Sequence, residues 1–194
     1  MTEEQINKTV DDLFDMIAKS GEADYIGEKV TQLEHMCQAA ERAEAQGNDD
    51  ELVLGALFHD IGHFCTEYGA EDDMGGLGHM NHDKVGADYL RERGFSERIA
   101  SIVENHVEAK RYLCVAKPGY HKKLSEASLK TLAFQGGPMS EEEVERFEAD
   151  PYHKDYIKMR AWDELAKEEN RPLPDIERYK QMAKNHLRSR HITN

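Results

Sequence analysis

The stretch Leu52-Val53-Leu54-Gly55-Ala56-Leu57-Phe58 is apolar around its whole circumference when wound as a helix, and His59 and Asp60 follow it directly. A helix that is apolar on every side lies in a core rather than on a surface. A carboxylate at its end is then drawn into low dielectric, which is costly unless the group is paired or bound to a metal. Successive helical residues point about 100° apart, so His59 and Asp60 serve neighbouring points in space. Asp60 has two oxygens and is able to bridge two cations. Taken alone, the His-Asp pair also fits the ordinary polar end of a helix, so the rest of the chain has to decide.

The rest is helical in pattern. Ile6, Val10, Leu13 and Ile17 form a stripe at helical spacing within residues 4–19, and a second helix is expected over about 30–46, stopped by Gly47. Asn48 or Asp49 then caps the apolar helix, expected to run through LVLGALFHDIGHF. The glycine-rich segment TEYGAEDDMGGLGHM reads as a loop. Helices follow at about 81–93, closed by Gly94, after Ser96, and at about 125–135. The GGP turn and the capping pattern Ser140-x-x-Glu143 come next, then helices near 151–168 and 174–188. Alternating β-branched runs are few, and no repeat or linker divides the chain. The expectation is an all-α bundle in which residues 1–194 make a single domain.

Composition narrows the function. A net charge of −14 disfavours unspecific contact with nucleic acid or an anionic membrane. An anionic small substrate then requires a local cluster of cations. No apolar run approaches the roughly 18 residues of a membrane span, and the acidic, amphipathic N-terminus lacks the layout of a signal peptide. A cytoplasmic location is expected. Cys37, Cys65 and Cys114 are scattered and odd in number, which fits reduced thiols and excludes a CxxC zinc site. Oligomeric state is not legible.

Ten histidines remain, and their order is informative. The series His35, His59-Asp60, His82, His106, Asp163 resembles the ligand series of dinuclear HD-domain proteins. The resemblance implies that His35, His59, Asp60 and Asp163 hold one metal, with Asp60 bridging to a second held by His82 and His106. His79 is the rival of His82. Imidazole and carboxylate donors suit iron, manganese or zinc alike. His63 stands four residues after His59, Lys110 four after His106, and Arg160 three before Asp163. On helices each would share a face with a ligand, supplying the cation cluster that the composition lacks.

Most HD-domain proteins are phosphohydrolases, and a dinuclear hydrolase of a nucleotide or other phosphoester is one reading; a metal-binding scaffold is another. The chain is more closely similar to the mixed-valent diiron oxygenases of the PhnZ type, through DYIGE, QLEH, HDIGH, HDKVGADYL, GFSERIA, HVEAKRYL, QGGPM and RAWDE. That resemblance implies Fe2+ and Fe3+ as cofactors, O2 as co-substrate, and a small organophosphonate, a 1-hydroxy-2-aminoethylphosphonate, cleaved between carbon and phosphorus. It implies His63, Lys110 and Arg160 as the phosphonate clamp, with Ser128, Thr131 and Gln135 as further substrate contacts. Tyr25 and Glu28 become the pair that responds to substrate. Primary and trimethylated amines both stay open, and Met36, Cys37, Tyr68 and Met80 are further residues able to shape the pocket.

Overall fold

The computed structural model describes residues 1–25, 27–65 and 73–191. Tyr68 and most of the TEYGAEDD portion of the glycine-rich loop lie outside them. Among the described residues the chain is helical without strands: α1 (Glu3–Ser20), α2 (Gln32–Ala45), α3 (Asp50–Phe58), α4 (His82–Glu92), α5 (Glu97–Ala116), α6 (Glu126–Phe134), α7 (Glu141–Ala149), α8 (His153–Leu165) and α9 (Ile176–His191).

The starts of these helices follow local chemistry. Thr2, Thr31 and Ser140 each close a capping box with the residue three positions on, while Asp49, Ser96 and Ser125 cap α3, α5 and α6 through a side-chain oxygen. Helix α3 is buried from Leu52 to Phe58. It is surrounded by α2, α5, α8 and α9, and α1 packs against α9. Trp162, Tyr156, Tyr179 and Phe58 are the largest side chains sealed in this core. Met36 and Cys37 belong to it as well, so they do not line the cavity beside His82 and His106.

The α-helix does not run through HDIGHF: it ends at Phe58, and a 3-10 turn occupies Ile61–Phe64. His59 and His63 are therefore not neighbours on one α-helical face. Gly62 lies within that turn, and a Cβ there would stand 1.8 Å from the carbonyl oxygen of His82. The turn presses its backbone onto the start of α4, and only glycine permits the approach. Gly62→Ala is expected to lower stability by about 3 kcal/mol, measured as a shift in the urea unfolding midpoint. Helix α8 also stops earlier than expected, at Leu165.

Candidate metal centre and substrate pocket

Four helices and one turn bring the six candidate ligands together. His35 sits on α2, His59 and Asp60 just past α3, His82 at the first position of α4, His106 on α5 and Asp163 on α8. None is more than 5% exposed. Asn81, in the left-handed conformation at φ 61°, delivers His82 to the start of its helix.

The imidazoles are oriented by main chain. His35 Nδ1 lies 2.9 Å from the Ala166 carbonyl oxygen and His59 Nδ1 2.9 Å from that of Ala56. His82 Nδ1 lies 2.6 Å from the His79 carbonyl, and His106 Nδ1 2.7 Å from that of Val103. Each Nδ1–H thus donates to a carbonyl, which turns Nε2 inward. The four inward nitrogens fall into two pairs, His35 with His59 at 3.0 Å and His82 with His106 at 3.2 Å. Two imidazole nitrogens bound to one ion at about 2.1 Å and at right angles stand about 3.0 Å apart.

Asp60 lies between the pairs. Its Oδ2 is 3.6 Å from His35 Nε2 and 3.3 Å from His59 Nε2. Its Oδ1 is 3.6 Å from His82 Nε2 and 3.5 Å from His106 Nε2. Asp163 joins the first pair, with Oδ1 3.3 Å from His35 Nε2. The residues fit two cations that share one carboxylate. Donor atoms of His35, His59 and Asp163 lie within 4.8 Å of one another, as do those of Asp60, His63 and His82. His63 thus also comes near the second position, but its ring is stacked on His82 at 4.1 Å and 16°.

Around the two carboxylates the electrostatics favour positive charge. Burial alone would lower His59, yet Asp60 and Asp163 raise it to about 9. Asp60 and Asp163 both titrate well below the ordinary carboxylate range despite their burial, held there mainly by His59 and by Arg160 respectively. Burial, with the neighbouring His82, keeps His106 down at about 3, so its ring is neutral and its lone pair available.

The centre opens into a pocket. Asp60, His82, His106 and Asp163 line it, together with Tyr25, Glu28, His63, Lys110, Ser128, Thr131, Gln135 and Arg160, while His35 and His59 lie behind. Every residue expected to touch substrate therefore reaches one cavity. Arg160 is fixed by Asp163, by Glu164 at 3.0 Å and by Tyr120 Oη at 3.1 Å, and its Nη2 lies 3.4 Å from Ser128 Oγ. Lys110 donates to Thr131 Oγ1 at 2.9 Å, and Thr131 in turn donates to the Ser128 carbonyl. Burial, then the nearby Arg160, bring Lys110 down to about 7. His79 is not in the lining; it serves through its carbonyl.

Tyr25 and Glu28 ride on a tight loop in which Tyr25 N–H donates to Val30 and Glu28 N–H to Tyr25. Gly27 turns this loop at φ +82°, where a side chain would strain the backbone. The Tyr25 ring stacks on His35 at 3.8 Å. Sequence reasoning missed two polar lining residues, Gln32 and Lys167. The QLEH run contained the first, but nothing in its spacing separates it from an ordinary helix start.

Residues 32–155 match the HD domain, and the chain belongs to the HD-domain family, in its PhnZ-type oxygenase branch. It is 45% identical over 157 residues to the 1-hydroxy-2-(trimethylamino)ethylphosphonate dioxygenase (glycine-betaine-forming) of Leisingera caerulea, covering 81% of this chain and 79% of that one. It is 36% identical over 170 residues to the hydroxymethylphosphonate dioxygenase of Gimesia maris, 88% of this chain and 84% of the relative. An uncharacterized protein of Acanthamoeba polyphaga mimivirus, L432, is 42% identical over 179 residues, 92% of this chain and 82% of the relative. No helix among the described residues is long and apolar enough to cross a membrane.

Proposed function

We propose that this protein is an oxygenase of the cytoplasm that cleaves the carbon–phosphorus bond of a small (R)-1-hydroxyphosphonate. One O2 is consumed, C1 becomes a carboxylate, and inorganic phosphate and a proton are released. The product is glycine from a primary amine and glycine betaine from a trimethylated one. The supporting observation is Asp60, with one oxygen toward each imidazole pair in a pocket that also presents Lys110 and Arg160. The named activities of two relatives agree with it.

In this reading His35, His59, Asp60 and Asp163 would hold one iron, and His82 and His106, with Asp60 between the two sets, would hold a second. His106 suits that role better than His63, whose ring lies parallel to His82, whereas His106 is tilted 51° from it. Bound there, a mixed-valent Fe2+/Fe3+ pair would supply one-electron chemistry with O2. The chain's own groups bind and orient. The planar Arg160 fork and the Lys110 ammonium take the phosphonate oxygens, with His63 beside them. Ser128 and Thr131 hold these cations in place, Gln135 completes the contact, and Tyr25 shields His35 from water. The whole chain, 1–194, acts as one unit, since Arg160 and Asp163 lie past the matched region and still complete the site.

Two measurements test this. Protein loaded with iron anaerobically and given a 1-hydroxyphosphonate is expected to release one phosphate per O2 consumed. Phosphate released from a phosphoester without O2 would overturn the reading in favour of hydrolysis. The second is a pH profile. Lys110 is charged below about 7 and loses its proton above it, so the clamp weakens as pH rises. The expected kcat/KM falls on that side, and the limb vanishes in Lys110→Met.

A further inference from the structure

We propose that Gln32 is a specificity-determining residue, accepting an N–H from a protonated amine on the substrate; the inference rests on the phosphonate reading above. Gln32 opens α2, is 6% exposed, and lines the pocket together with Tyr25, Glu28 and Lys167. Its backbone N–H donates to Ala23. Its side-chain oxygen Oε1 is buried and has no hydrogen-bond partner among the described residues. Buried acceptors are nearly always satisfied, and one left over on a residue that lines a cavity points to a donor brought in by a ligand.

The neighbouring groups say what kind of donor. Glu28 Oε1 is held by Lys167 Nζ at 2.5 Å, and the same ammonium lies 3.5 Å from Ser125 Oγ and 5.8 Å from the centre of the Tyr25 ring. This part of the pocket already accommodates one ammonium. Glu28 is shared with Lys167, whereas Gln32 is uncommitted. A substrate ammonium that bears N–H bonds to Gln32 and competes with Lys167 for Glu28. A trimethylammonium has no N–H and leaves the Gln32 oxygen as it is. A hydroxymethylphosphonate carries no amine at all. The chemistry therefore favours 1-hydroxyphosphonates with a primary or secondary amine.

The test uses ligands without the 1-hydroxyl. Iron-loaded wild type and Gln32→Leu are titrated calorimetrically with 2-aminoethylphosphonate, its N-trimethyl analogue and ethylphosphonate. Wild type is expected to bind 2-aminoethylphosphonate most tightly. Gln32→Leu is expected to lose about tenfold of that preference, with the other two ligands and the iron content unchanged. Equal weakening of all three ligands, or an undiminished preference, overturns the proposal. Gln32→Met is the second variant, and if both variants lose iron or fold by circular dichroism, Gln32 is structural and the proposal falls. Failure of wild type to bind any of the three defeats the phosphonate reading itself. Binding of ethylphosphonate with no advantage for the amine defeats only the role of Gln32.

Discussion

Asp60→Asn is expected to yield a folded protein that retains at most one metal ion per chain and turns over at least about a thousandfold more slowly. The reason lies in the two oxygens. Oδ2 faces His35 and His59, while Oδ1 faces His82 and His106. Asparagine keeps one neutral oxygen and turns an N–H2 donor toward the other pair, so one cation loses a ligand and gains a repelling dipole. The α3 packing is untouched, because Asp60 follows the helix rather than forming part of it. Metal analysis and turnover on the same sample check the result. Two ions and wild-type activity in the variant would show that the carboxylate is no bridge.

Lys110→Met is expected to lower kcat/KM by about a hundredfold, the effect of roughly 3 kcal/mol from an unpaired buried anion, with both metals still bound. Methionine keeps the length of the stem and removes only the charge. Arg160→Met should behave differently. Arg160 pairs with Asp163 as well as with Glu164, so its loss frees a ligand and is expected to cost metal along with activity. The contrast separates a side chain that only touches substrate from one that does so while bracing the centre. Retained metal in both variants would remove the bracing role of Arg160; lost metal in Lys110→Met would place that lysine in the coordination sphere.

Much of this site was legible in the chain before its fold was known, for a definite reason. Burial singled out only His59-Asp60, after Leu57 and Phe58, and the full series was legible through its resemblance to the HD-domain ligand order. The His106 and Lys110 spacing, and that of Arg160 and Asp163, needed only helical geometry, and both pairs sit inside single helices. The spacing of His59 and His63 misled, because α3 ends at Phe58 and His63 lies in a separate 3-10 turn whose Gly62 packs on the His82 backbone, twenty residues away. The Glu28–Lys167 pair was invisible for the same kind of reason, spanning 139 residues of sequence. His186, which accepts the Ser96 N–H at the base of α5, is a buried histidine with a purely architectural partner. Counting histidines does not distinguish it from a ligand.

The carbonyls that steer the four rings belong to Ala56, His79, Val103 and Ala166. What each contributes is an oxygen that every amino acid possesses. Aim is thereby separated from identity: mutation at these four places leaves the instruction to the imidazole intact so long as the helix keeps its course. Selection for a new substrate is then free to rework the cavity wall at Glu28, Gln32 and Lys167 without retuning the rings themselves. A lineage built this way diversifies in diet while its engine stays the same.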